Sequence, residues 1–249
     1  YNLGYVFQEQ GKLVESIACF KRALSINTNH LTAHYNLSVI YNKQGKYAEA
    51  AACLRKVLSI EPEHLEACLN LGVSYTMQGK YEEAAAYLKK VLTLNPSHLI
   101  ALFNLSVVYT DQDMYEEAVA CLKKALSMKP DFLESYLRLA LVYTKQGRYE
   151  KAAACLKKAL SINPSSHEAH YSLGSVQIAQ GRFKEAMVSC QKALSIKYDH
   201  AESHFLIASL QKYSGNEDHI LDMEGLFSQD KNIDGQKMHL AFALGKAFE

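Results

Sequence analysis

The chain has 249 residues, with 27 Lys and Arg against 26 Asp and Glu and a net charge of +1. That balance leaves no basic stripe for following phosphates, which argues against nucleic acid as a partner. Apolar residues make up 49% of the sequence but recur periodically, without the unbroken run of about 18 that a membrane span needs, so no membrane partner is expected.

From its first residue the chain reads as helix. Tyr1 falls inside a helical pattern with no initiator Met, and Leu244, Gly245 and Phe248 open a further apolar stripe at the other end, so the sequence reads as a piece of a longer chain, expected in the cytoplasm. Between these ends the text repeats every 34 positions: Pro62, Pro96, Pro130 and Pro164; Gly11, Gly45, Gly79, Gly147, Gly181 and Gly215; Tyr41, Tyr75, Tyr109 and Tyr143. A fixed period of that length is the signature of a two-helix solenoid repeat.

Residues 65–98 show how one unit builds itself. Leu65, Leu71, Gly72 and Tyr75 fall on one stripe of a first helix, which Gly79 ends in the left-handed region. Tyr81, Ala84, Leu88, Val91 and Leu92 give a second stripe, and Pro96 stops that helix. Gly72 and Ala84 are small where the two helices come closest. Asn29, Ser97, Asp131, Ser165 and Asp199 stand where a cap for the next helix is expected, and Ser165 with Glu168 and Asp199 with Glu202 have capping-box spacing. Cys19, Cys53, Cys121 and Cys155 share one column, too far apart in a stacked array for disulfides, and read as free thiols.

With these motifs in place the chain resembles the tetratricopeptide repeat. The repeats run over 1–30, 31–64, 65–98, 99–132, 133–166 and 167–200, with the first helix of a seventh at 201–215. The resemblance implies an all-α, right-handed α-α superhelix, a solenoid of stacked antiparallel helix pairs whose first helices line a concave groove. Two departures stand out: Asp113 replaces the turn glycine of the fourth repeat, and Gln177 replaces the aromatic of the Tyr143 column. The regular text fails after Gly215, where Ile220 occupies the place of the small residue. Over 216–249 we expect a degenerate helix pair and the start of a further, truncated repeat, with helices near 217–228 and 235–249. The stretch HLAFALGKAFE is similar to the repeat segment that precedes the catalytic domain in bacterial tetratricopeptide-containing sulfotransferases. Gly245-Lys246 is not a phosphate loop, because Ala247 stands where Ser or Thr is needed.

Columns facing the implied groove carry the functional expectation. Asn36, Asn70 and Asn104, preceded by Asn2 and followed by Arg138 and Ser172, form a ladder of primary amides, each able to pair with a peptide unit or to be spent on a neighbouring helix. Similar ladders in the repeats of O-linked N-acetylglucosamine transferase serve peptide recognition. Tyr35, Leu69, Phe103, Leu137 and Tyr171 flank it, with Val39, Val73, Val107 and Leu141 beyond and Thr76, Thr110 and Thr144 a turn on. This apolar groove with an amide seam suits an extended or helical segment and excludes a carboxylate clamp, which needs Lys. His30, His64, His98 and His200 read as exposed loop residues, and the HxxxH pairs with His34 and His204 lack a third metal ligand. Paired bases and acids along the second helices read as a solvated face. The expected function is a protein-interaction scaffold binding a peptide in its groove, without catalytic residues, cofactor or metal; oligomeric state is open. The alternative is the substrate-recruiting arm of a sulfotransferase, or less so a glycosyltransferase.

Overall fold

The computed structural model describes residues 1–212, 218–228 and 234–248. Gly215 and most of the 228–236 linker lie outside them. Among the described residues there are fifteen helices and no strand, so the chain is an all-α repeat solenoid.

Tyr1–Pro130 forms one compact unit and Asp131–Glu249 another. The first holds the pairs α1 (Asn2–Glu9) and α2 (Leu13–Ile26), α3 (Leu31–Lys43) and α4 (Tyr47–Ile60), α5 (Leu65–Thr76) and α6 (Tyr81–Leu94), and α7 (Leu99–Asp111) and α8 (Tyr115–Met128). In the second are α9 (Leu133–Lys145) and α10 (Tyr149–Ile162), α11 (His167–Ala179) and α12 (Phe183–Ile196), then α13 (Ala201–Leu210), α14 (Asp218–Phe227) and α15 (Asp234–Ala247).

Each turn within a pair needs one left-handed residue. Gly79 supplies it at φ +72°, and Asp113 holds the same conformation at φ +57° despite its side chain. Residues before the prolines, such as Asn95 at φ −139°, ψ 93°, are extended, as the proline ring requires. Asn27 and Lys197 adopt the same conformation without a following proline, so the loop shape belongs to the repeat and the proline fits it.

Helix caps fall one residue later than the sequence suggested, and this corrects the reading of the histidines. Asn27, Asn95 and Asn163 accept the backbone N–H of Asn29, Ser97 and Ser165 through their side-chain oxygens, which holds those residues in the loop. The caps are His30, His64, His98 and Ser166. Nδ1 of the three histidines accepts from the N–H of Ala33, Ala67 and Ala101 at 3.3, 3.3 and 3.1 Å. Ser166 Oγ does the same for Ala169 at 3.2 Å. The histidines are therefore half-buried capping groups rather than exposed loop residues. The shift also shortens the cap-to-Glu168 distance by one position and removes the capping box.

A second histidine column staples the loops between repeats. Nε2 of His34 and His170 donates to the carbonyls of Thr28 and Pro164 at 2.9 and 3.0 Å. Where Cys68 interrupts that column, Lys90 reaches the Pro62 carbonyl instead, at 2.7 Å.

In the first unit Leu54, Val57, Leu71, Leu88, Leu105 and Val108 share one core. Each such side chain contributes about 1.5–3 kcal/mol on burial. The close approach expected at Gly72 is real: a Cβ there would stand 2.8 Å from Leu88 Cγ and 3.4 Å from the Ala84 carbonyl. In the second unit α13 packs along α15, and α14 packs against α15. Ile220, Met223 and Leu226 of α14 are buried with Leu240 and Ala243 of α15 and Ala201 and Ala208 of α13.

Candidate functional site

In the first unit α3, α5 and α7 lie side by side and carry most of the groove columns. Tyr35, Asn36, Leu69, Asn70, Val73, Thr76, Phe103, Asn104 and Val107 are all half-buried, so each keeps part of its surface in solvent. Thr110 does not: it is fully buried and its hydroxyl donates to the Ser106 carbonyl at 2.6 Å. A β-hydroxyl at this helical position reaches back to the carbonyl four residues earlier. Thr76 makes the equivalent bond to Gly72 O at 2.9 Å but stays half-buried.

The amide ladder is partly spent inside the array. Asn36 Nδ2 donates to Tyr1 Oη at 3.0 Å and Asn70 Nδ2 to Tyr35 Oη at 3.1 Å. Both acceptor rings also stack on the histidine that caps the donor's own helix, Tyr1 on His30 at 4.9 Å and Tyr35 on His64 at 5.4 Å. Burial pushes the Tyr35 phenol up, opposed by the Asn70 bond. The signal was present in the sequence, since Tyr1 and Tyr35 each precede an amide by 35 positions. At Asn104 the residue 35 earlier is Leu69, which offers no acceptor, so this amide is not tied back in the same way.

In the second unit Leu137, Leu141 and Tyr171 border a cleft of about 220 Å³ between α9 and α11, floored by Ala140, Leu156 and Val176. Thr144, Ser172 and Ser175 supply its polar rim. Leu141 is 42% exposed. Arg138 is half-buried beside it on α9. Tyr171 meets His200 edge-on at 5.1 Å, and burial pushes its phenol up. Ser172 ends the amide column read from the sequence; Ser175 was not singled out, although it stands 34 positions after Leu141 in the same column.

No group of three or more His, Cys, Asp or Glu among the described residues is arranged to hold a metal ion. The described cysteines are free, and burial raises Cys53 and Cys190 to about 11, far from a reactive thiolate. No helix of the described chain is long and apolar enough to cross a membrane.

These helix pairs, their turns and their small-residue contacts define a tetratricopeptide-repeat protein, a fold of protein-interaction scaffolds. The family model for the cilia and flagella-associated protein 70 C-terminal domain matches residues 1–208, and the chain belongs to that family. Among solved structures it is similar to a tetratricopeptide repeat protein from Parabacteroides merdae, with 20% identity and a TM-score of 0.77 over 98% of this chain and 96% of that one. It is similar as well to MamA, with 27% identity and a TM-score of 0.59 over 69% and 94% of the two chains. A third likeness is to a thermophilic tetratricopeptide repeat protein of Thermus thermophilus, at 25% identity and TM-score 0.60 over 72% and 98%. No curated protein matches significantly in sequence. The expected likeness to sulfotransferase-linked repeats gains no support, because the family match ends before the segment that suggested it.

Proposed function

We propose that the chain is a binding scaffold that takes an uncharged, largely apolar peptide segment on the exposed faces of its first helices. The observation that carries this reading is the row Leu69, Val73, Phe103 and Val107 around Asn104. Half-buried apolar side chains there flank an amide that the tyrosine bridge leaves unclaimed. Such an amide offers a donor and an acceptor side by side to one peptide unit of a ligand. In the second unit the α9–α11 cleft offers a separate seat for one apolar side chain at Leu137, Leu141 and Tyr171. The family's name supports looking for the partner among proteins of cilia and flagella. A recruiting role for a sulfotransferase rests on residues 215–249 alone and would need sulfate transfer by a longer chain.

The test is a peptide array of extended apolar sequences followed by calorimetry. Asn104→Ala should weaken the best peptide by about 3–10-fold, the worth of one hydrogen bond, with an unchanged melting temperature. Unchanged affinity in that variant would remove the amide seam from the site.

A further inference from the structure

Two histidines join α14 to α13. His204, on the first turn of α13, is 1% exposed. Its Nε2 lies 2.8 Å from the Tyr198 carbonyl oxygen, which can only accept, so Nε2 carries a proton. Its Nδ1 lies 2.9 Å from Nε2 of His219 on α14, with the rings stacked at 5.1 Å and 19°. Only one proton fits between those two nitrogens. With His204 neutral, His219 donates; with one more proton on His204, the bond reverses and His219 accepts. A second proton sets N–H against N–H and two cations in contact.

We propose that this pair is an acid-operated latch, holding α14 on the array at neutral pH and releasing it when both rings are protonated. His34 and His170 make the same carbonyl bond in their own repeats but have no stacked histidine across from them in any described ring contact. Among the described residues, a stacked and hydrogen-bonded histidine pair therefore occurs at the seventh first helix and not at His34 or His170.

The surroundings set the sign. Burial disfavours a charged His204 and is the largest influence, lowering its pKa; the Tyr198 carbonyl, then Asp222 of α14 and Asp199 of the loop before α13 oppose it. Asp222 also accepts the Tyr198 hydroxyl, raising that phenol to about 12. On the α15 side His239 packs against Phe205, one residue along α13, at 6.3 Å. A docked His204 thus resists protonation, while a released one titrates near its ordinary value of about 6.5. Docking is at full strength above that value and weakens as pH falls below it. Release uncovers the apolar side chains of Ile220, Met223 and Leu226 together with their partners on α13 and α15.

Amide exchange of residues 218–228 in the full chain, corrected for the intrinsic pH dependence, tests the latch. Between pH 7.5 and 5 protection of this segment should fall by about tenfold or more, with α9 and α10, which contain no histidine, unchanged. His219→Gln keeps a neutral side-chain amide opposite His204 and should hold protection to within about twofold over the same range. Constant protection in the unmodified chain, or a parallel loss in His219→Gln, overturns the proposal. Should His219→Gln fail to dock α14 at pH 7.5, NMR titration of the unmodified chain decides. The latch stands only if the loss of protection follows the titration of the His204 ring, and it falls if the two midpoints differ.

Discussion

Asn70 on α5 donates its side-chain amide to the hydroxyl of Tyr35 on α3, 3.1 Å away across the step from one repeat to the next. The same tyrosine ring stacks on His64, which caps α5. Tyr35 therefore holds α5 at two points, its cap and a residue in its second turn. A double-mutant cycle of Tyr35→Phe and Asn70→Ala should give a coupling of about 0.5–1.5 kcal/mol by urea denaturation. Additive costs would mean that the amide and the hydroxyl do not depend on each other. This bond also means that Asn70→Ala reports on stability, so only Asn104→Ala is a clean probe of ligand binding.

Much of this architecture was legible in the sequence because its signals are periodic. The helix pairs, the left-handed turn including Asp113, and the small residues at Gly72 and Ala84 each recur in register, and one turn's chemistry predicts the next. What escaped is what periodicity does not encode. The loop asparagines pull Asn29, Ser97 and Ser165 into the turn and pass the cap to the following residue. Thr110 falls in the column of Thr76, yet a slightly deeper burial takes it out of solvent. The Tyr35–Asn70 bond was hidden because an amide column looks the same whether its members face a ligand or a neighbouring helix.

His64 should be replaceable by serine but not by alanine. Its Nδ1 accepts the Ala67 N–H at 3.3 Å, the task that Ser166 performs with its hydroxyl for α11. His64→Ala should cost about 0.5–2 kcal/mol, the usual effect of a lost cap, and further lose the ring that Tyr35 stacks on. His64→Ser should recover most of the capping share. Equal melting of the two variants would show that the stack, and not the cap, is what His64 contributes.

The same substitution should have opposite signs at two helical glycines. In Gly72→Ala the new methyl meets Leu88, a fully buried side chain, at 2.8 Å from Cγ. Overpacking of about 1–3 kcal/mol then outweighs the gain of about 1 kcal/mol in helix propensity. Gly225 on α14 has nothing within 4 Å of a built Cβ, so Gly225→Ala should stabilise its helix by up to about 1 kcal/mol. Protection of α5 and of α14 against amide exchange reads the two effects separately.

Ile220 tests why α14 departs from the repeat. Its column is alanine in every earlier second helix of the described chain that carries a full pair partner: Ala50, Ala84, Ala118, Ala152 and Ala186, all fully buried. An isoleucine has no room at such an approach, and α13 packs along α15 instead, whose Ala243 is fully buried there. Ile220 is nonetheless 4% exposed, enclosed by Met223, Leu226 and Leu240. If α14 were only a misfitting repeat helix, Ile220→Ala would restore the missing small residue and raise stability. If the α13–α14–α15 core is built around the isoleucine, the same change leaves a cavity and costs about 2–5 kcal/mol. We expect the cost, because the side chain is already buried in one core with Met223, Leu226 and Leu240. Stability in a repeat array is a sum of local terms, so the measurement is amide exchange over residues 218–228 and 234–248: faster exchange there supports the built core, and slower exchange refutes it.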